Sequence, residues 1–312
     1  MPEQNLSQTR VVDPILSTHA RGYRQAEMIG HLLLPYADVG MYGGNVIEFD
    51  DSAFEVYNTV RAPGTNIQRV IYGYAGKPYA IAPSGLQAVV PRQRLIDANA
   101  VPGIDLKARG VNTVLRAHAL AHEVRCANLI LNDANYDVDH KVTLAAGAEW
   151  SNAGSDPAGD IETGKEAIRQ SIGIYPNTLM LPAAAMKNCR TNASLLDRAS
   201  SVNIKKINLD ALKQIFEVDN ILVGAAVAKS AGVKGDVWGT SAVLAYVSPG
   251  AQVDANIEEP SFGYSYRIQG MPMVEPYRWD ANSDSWVATV HNDATPVLAA
   301  MGAGYLIKRA GL

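Results

Sequence analysis

Three groups of residues in the chain are of the types that do chemistry. The first is the run Gly159-Asp-Ile-Glu-Thr-Gly-Lys165, which meets most of the GxxxxGK pattern of a phosphate-binding loop. Such a loop cradles phosphate in backbone N–H groups, and the lysine is followed by Ser or Thr, whose hydroxyl holds magnesium. Here the next residue is Glu166, and the run follows Ala-Gly-Ser-Asp-Pro instead of a buried strand. Asp160, Glu162 and Glu166 would also repel a phosphate. The run reads instead as the opening turns of a helix with an acidic start. The second group is His118, His122 and Glu123. Histidines four apart share one helix face and can grip zinc, but the zincin order is HExxH and this one is HxxxHE. A third ligand would have to come from afar, for instance His140. These residues read as polar spine positions lying under neighbouring strands. The third group, Asp137, Asp139, His140, His291 and Asp293, falls in loop-like sequence, with no GxSxG elbow to present a nucleophile. The sequence therefore predicts no catalytic residue, no metal site and no cofactor. Cys126 and Cys189 show neither disulfide nor zinc spacing and read as two reduced thiols.

The elements that must carry these residues are arranged around one stretch, residues 105–133. It has no proline and a single glycine, Gly110. Val114, Ala117, Leu120 or Ala121, Val124, Ala127 and Leu131 recur at the three- and four-residue steps of one helix face. Asp105 can cap its start and Asn132-Asp133 can end it. At about 1.5 Å per residue such a helix is roughly 40 Å long, the width of a domain. It is a spine.

Before the spine, residues 1–44 carry few signals of order; Ile29, Leu32, Leu33 and Leu34 make one apolar turn or strand before Pro35. This is an arm that packs on something else. Residues 45–91 form a β-excursion: Phe54, Val56 and Val60 alternate with polar residues, Ala62-Pro63-Gly64-Thr65 suits a turn, and Val70-Ile71-Tyr72 is a second strand closed by Ala75-Gly76-Lys77-Pro78. Leu86 to Val90 is a third strand. An isolated hairpin is marginal in water, so the excursion must gain stability elsewhere, on another subunit.

After the spine, Lys141 to Trp150 reads as a short hairpin arm. Asp156 and Pro157 start a helix with a buried stripe of Ile161, Ile168 and Ile172, stopped by Gly173. Further helices start at Pro182, through Met186, and at Asn208, through Phe216. Strands are predicted at Thr178–Leu181, at 221–227 and at Trp238–Val247. The alternation over 155–250 predicts an α/β subdomain with a central sheet. From Phe262 the tail reads as strands at Gly263–Ile268, Ser285–His291, from Val297 onward and at 303–307, which the spine would support.

The chain has 312 residues, 47% of them hydrophobic and 19% charged. The charged share is below the usual quarter, which suits both a large core and a surface covered by partners. A net charge of −4 argues against tight nucleic-acid binding by the whole surface. The first ten residues hold no apolar signal region, and the longest apolar run, Ile221 to Ala228, is too short to span a bilayer.

Several stretches in order resemble the major capsid proteins of tailed bacteriophages, the Hong Kong 97-type fold. They are Arg61-Ala-Pro-Gly64, Gly85 to Pro91, the spine with Glu123, Ala127 and Leu129-Ile-Leu131, Asn135-Tyr136, Trp150-Ser151 followed by Ser155-Asp-Pro157 and Asp160-Ile161, Pro176 to Leu179, Val237-Trp-Gly239 with Leu244 to Val247, Pro260 to Tyr264, and Ala303 to Ile307. The resemblance spans residues 45–310. It implies an α+β fold with an N-terminal arm (1–44), an extended loop (45–91), a peripheral domain with the spine (92–154), an axial α/β domain (155–255) and a return to peripheral strands (256–312). It implies a shell of hexamers and pentamers enclosing double-stranded DNA, in a virion assembled in the host cytoplasm. It also implies a separate scaffolding protein or a fused scaffolding segment already removed, a portal, room for decoration proteins, weak non-specific contact with DNA and no membrane. Arg61, Tyr74 and Lys77 would be subunit-interface residues near the tips of the extended loop. Some members join Lys to Asn covalently, but no motif near Lys77 identifies a partner, and no crosslink is predicted. Two other readings are a cellular nanocompartment (encapsulin-like) shell protein and an α/β metal-dependent enzyme using His118, His122 or His140.

Overall fold

A computed structural model of the chain describes residues 28–47, 76–99, 105–201, 207–230, 232–248 and 261–312. Its first half holds helix α1 (Gly30–Leu33), strands β1 (Tyr36–Val39), β2 (Gly43–Ile47), β3 (Gly76–Ala80) and β4 (Gly85–Pro91), helix α2 (Arg92–Asn99), the spine α3 (Leu106–Ile130) and β5 (Lys141–Thr143). Then come α4 (Pro157–Ile172), β6 (Thr178–Pro182), α5 (Ala183–Thr191), α6 (Ala193–Ser201), α7 (Leu209–Phe216), β7 (Asn220–Gly224), β8 (Val227–Ser230), β9 (Val233–Asp236) and β10 (Ala242–Ala245). The tail adds β11 (Gly263–Ile268), β12 (Met273–Val274), β13 (Arg278–Asp280), β14 (Ser285–His291), β15 (Ala294–Leu298) and β16 (Gly304–Lys308). The strands expected near 54–61 and 70–72, the turn at 62–65, Arg61 and Tyr74 lie outside the described residues.

The spine is a 25-residue helix whose start is capped by the Asp105 carboxylate, which accepts from the N–H groups of Lys107 at 2.9 Å and Ala108 at 3.1 Å. Its buried face differs from the expected apolar stripe. Val111, Val114, Leu115, His118, His122, Glu123, Cys126, Ala127 and Ile130 are buried, while Ala117 and Ala121 face solvent and Val124 is half-buried. The face rotates because three polar side chains find internal partners, and a satisfied polar group can take a core position.

Two sheets pack on this helix and around it. A five-stranded sheet runs β5-β16-β10-β6-β7. Its residues alternate between two cores, as a pleated strand requires. Leu179, Leu181, Leu244 and Ile307 face α4 and α7 through Ile161, Ile168, Leu212 and Phe216. Met180, Val243 and Leu306 share a core with Ala127 and Ile130 of the spine and with Leu33, Leu34 and Trp238. Each fully buried Leu or Ile here contributes about 1.5–3 kcal/mol. On the N-terminal half of the spine lies the sheet of β14 with β4, β12 and β13, packing Ala88, Val274 and Val290 on Val111, Val114 and Leu115. A three-stranded sheet, β1-β11-β15, and two ribbons, β2–β3 and β8–β9, complete the described fold.

Several local expectations change. Residues 76–78 do not close a turn but run in β3, opposite Asn45 to Ile47; Pro78 is tolerated in a two-stranded ribbon, where no further strand needs its missing N–H. The region after Lys141 forms no hairpin, since β5 pairs in parallel with β16. β16 thus does not stand with the other tail strands; it lies inside the five-stranded sheet between β5 and β10. The strand predicted over 238–247 shrinks to β10, because residues 237–240 form a turn with Gly239 in the left-handed region at φ 55°, and Trp238 turns its ring inward there. That ring would lie 2.6 Å from a Cβ at Gly224, where β7 ends. Asp156 precedes α4 without a side-chain capping bond, its carboxylate turned to Arg198 at 3.1 Å; Gly173 ends the helix in the left-handed region at φ 72° as its position predicts. Helix α6 had no expected counterpart.

Gly164 is the second glycine of the GxxxxGK run, and it lies mid-helix in α4. A Cβ there would sit 2.7 Å from Leu244 Cδ1 and from Tyr305 Cδ1, both buried. The glycine lets helix and sheet approach. Alanine favours a helix over glycine by about 1 kcal/mol, but overpacking costs about 1–3 kcal/mol. Gly164→Ala should therefore lower stability by roughly 1 kcal/mol in urea unfolding; a raised midpoint would refute the packing role.

Candidate functional site

The phosphate-loop run, Gly159 to Lys165, is helical, and from Asp160 onward, where the N–H bonds the Asp156 carbonyl, its N–H groups are spent within α4, so no cradle forms. The Lys165 ammonium is buried and lies 3.0 Å from Glu162 and 3.5 Å from Glu217.

The histidines and Glu123 lie on the buried side of the spine, and each is occupied. His118 Nε2 lies 3.2 Å from the Val290 carbonyl and so donates to it, leaving Nδ1 to face Ser84 Oγ at 3.4 Å. The Asp293 carboxylate accepts from the Ser84 N–H at 2.6 Å and from the Tyr42 hydroxyl at 2.8 Å. Ser84, His118 and Asp293 thus come together, but not as a triad: Asp293 holds the serine's backbone, and the distal ring nitrogen is held by a carbonyl. The arrangement fastens the chain at 42 and 84 to the spine and to the start of β15. The sequence had no signal for it, since the partners are 34 and 209 positions apart.

One turn further on, His122 Nε2 faces Ser265 Oγ at 3.2 Å and Cys126 Sγ at 3.4 Å, with the Tyr36 ring stacked over the imidazole at 5.2 Å. Ser265 Oγ donates to the Leu34 carbonyl at 2.9 Å, so it accepts from His122. His122 Nδ1 has no partner among the described residues. Burial pushes the His122 pKa down to about 3, with Arg125, His31 and Arg267 adding to the effect. Burial also lowers His118.

Glu123 makes the central contact. Its carboxylate accepts from Ile29 N–H at 3.0 Å, Gly30 N–H at 2.7 Å and the Trp238 indole N–H at 2.7 Å. Burial raises its pKa, and the three donors pull the other way. A Cβ at Gly30 would meet Glu123 Oε2 at 2.8 Å, which is why the first residue of α1 is glycine.

His140 Nδ1 bonds the Gly304 carbonyl at 3.0 Å, and His291 pairs with Glu275 at 3.2 Å. No group of three or more metal-capable side chains gathers among the described residues. The geometry offers joints between distant segments rather than a reaction centre. Of the expected interface residues, Lys77 is in β3, opposite Val46; Arg61 and Tyr74 lie outside the described residues.

A mixed fold with a long spine, a helix-covered sheet and fastened peripheral strands defines the class of Hong Kong 97-type shell proteins. A solved structure of the putative capsid protein of an Escherichia coli CFT073 prophage shares this fold at a TM-score of 0.58 and 13% identity, covering 96% of this chain and 99% of that one. No protein-family model matches the chain. A major capsid protein of Burkholderia phage BcepMu is 35% identical over 305 residues, 97% of each chain. A phage-related protein from Bordetella bronchiseptica RB50, solved by crystallography, is 51% identical with a TM-score of 0.85, over 98% of this chain and 99% of that one. The chain belongs to the bacteriophage major capsid proteins, structural subunits of an icosahedral virion shell. A viral relative over almost the whole length favours the phage head over the cellular nanocompartment.

Because His122 is held near 3 against about 6.5 in an unfolded chain, the unfolded state alone binds this proton between those values. Stability should fall as pH drops below about 6.5, by about 1.4 kcal/mol per pH unit. His118 adds the same sign; Glu123, raised when folded, opposes it only in the carboxylate range. Urea unfolding of the wild type from pH 7 to 5 should show this slope, and His122→Asn should flatten it. An equal slope in the variant would place the proton uptake elsewhere. Glu123→Ala, which orphans three buried donors, should cost more than about 2 kcal/mol, a loss readable in the same unfolding curves.

Proposed function

We propose that the chain assembles as hexamers and pentamers into a phage head around double-stranded DNA, with contacts shared among five lobes. Residues 1–44 serve as the arm, 45–91 as the extended loop laid over a neighbour, 92–154 and 256–312 as the peripheral domain, and 155–255 as the axial domain. Arg61, Tyr74 and Lys77 make the neighbour contact of the loop. The role is purely structural, without catalysis, since His118, His140 and Glu123 are spent on internal bonds. A separate scaffolding protein, a portal and decoration proteins complete the particle, which forms in the host cytoplasm. DNA is held by weak non-specific contact, in keeping with a net charge of −4.

The observation that carries this reading is the β2–β3 ribbon. Its root is fastened, with Tyr79 stacked on Tyr266 at 4.4 Å and Tyr42 bonded to Asp293. Yet its two strands pair with no other strand among the described residues, and a lone ribbon is marginal in water. A second surface supplied by another copy resolves that deficit. Deleting residues 67–77 should leave the α/β lobe folded by circular dichroism while abolishing closed shells in electron micrographs. Normal shells from the deletion variant would remove the loop from the assembly contact.

A further inference from the structure

The β8–β9 ribbon has the same deficit, pairing with no other strand among the described residues. All of β9 is exposed, with Val233 at 73%, and Val227 of β8 is 49% exposed. Lys229 stands directly opposite Lys234, flanked on that face by Val227 and Asp236. Like charges directly opposite in a ribbon are unfavourable, and neither ammonium has an ion-pair partner among the described residues. The face carries Val227 and the Asp236 carboxylate at its root and two ammonium groups beyond, so its balance is positive.

A surface of the opposite character lies between α4 and α7. It is a cleft of about 350 Å³, floored by Ala158, Ile161 and Phe216 and rimmed by Glu162 and Glu217. The two carboxylates share one ammonium, Lys165, held beneath them, so one negative charge is left at the mouth. Arg198, also at the cleft, is paired to Asp156 at 3.1 Å. Glu217 holds a left-handed backbone, φ 52°, at the end of α7. A residue other than glycine adopts that conformation at a cost, and here it brings the carboxylate to the cleft mouth with its side chain 79% exposed. Apolar floor and acidic rim match the stem and head of a lysine.

The two surfaces cannot meet within one chain. Glu217 precedes β7 and the ribbon follows it, so the five-residue strand holds them apart by roughly 15 Å. We propose that the β8–β9 ribbon of one copy docks on the α4–α7 cleft of the next copy around a ring, with Lys229 and Lys234 meeting Glu162 and Glu217. Two different surfaces joined head to tail generate a closed ring when the rotation closes, which fits capsomers. The inference rests on the assembly reading above and gives it a contact.

Zero-length carbodiimide coupling tests it, because the reagent joins only amines and carboxylates already in contact. Particles assembled from mixed nitrogen-14 and nitrogen-15 protein should yield mixed-isotope peptides linking Lys229 or Lys234 to Glu162 or Glu217; the links of Lys165 to the same glutamates will be single-isotope. Lys229→Glu with Lys234→Glu, both on exposed positions, should cut particle yield roughly tenfold with an unchanged unfolding curve. Wild-type particles without the mixed links, together with normal particles from the lysine variant, overturn this contact alone. Absence of any particle from the wild type overturns it together with the assembly reading.

Discussion

One carboxylate settles how the lobes of this subunit meet. Glu123 is 1% exposed, and a buried carboxylate is tolerable only where donors replace its water. Its three donors come from two stretches far apart in sequence, Ile29 and Gly30 at the start of α1 and Trp238 between β9 and β10. The N–H groups at the start of α1 have no partner within that short helix, so the acceptor arriving from the spine completes both elements at once. Leu33, Leu34 and the Trp238 ring then fill the core around Ile130 and Met180. Remove the charge and three donors from separate segments are left in a dry interior.

Given that joint, the rest of the architecture follows from one helix serving two sheets. The N-terminal half of the spine supports the sheet around β14, and the C-terminal half supports one face of the five-stranded sheet. The opposite face of that sheet is covered by α4 to α7 of the same chain. What is left over among the described residues are two ribbons that pair with no further strand.

Much of this was legible in the sequence. The spine, its Asp105 cap, the Gly173 stop and the strands at 178, 263, 285 and 304 appear where residue type and period place them. The orientation of the spine was legible only in part, since Val114, Ala127, His118 and His122 are buried as read. Hydrophobic periodicity pointed to Ala117 and Val124, whereas the buried side carries His118, His122 and Glu123, whose partners lie far away in sequence. Periodicity weighs a side chain by its own polarity and is blind to the donor that will satisfy it. For the same reason the Ser84–Asp293 fastening was invisible, and Gly164 and Lys165 resembled a nucleotide motif. The glycine is there because Leu244 and Tyr305 come close, and the lysine because two glutamates do.

The position of β16 has a consequence for how the subunit is made. Residues 304–308 fill the slot between β5 at 141–143 and β10 at 242–245. During synthesis the spine and all four covering helices leave the ribosome with that slot still open, at a pace of about 5–20 residues per second. Strand β16 supplies Tyr305 and Ile307 to the core on one face of the sheet and Leu306 to the core on the other. Until residue 308 emerges, the lobe cannot close, and a growing chain presents no finished surface to copies already complete. Strand order thereby leaves the central sheet one strand short until β16 has been made.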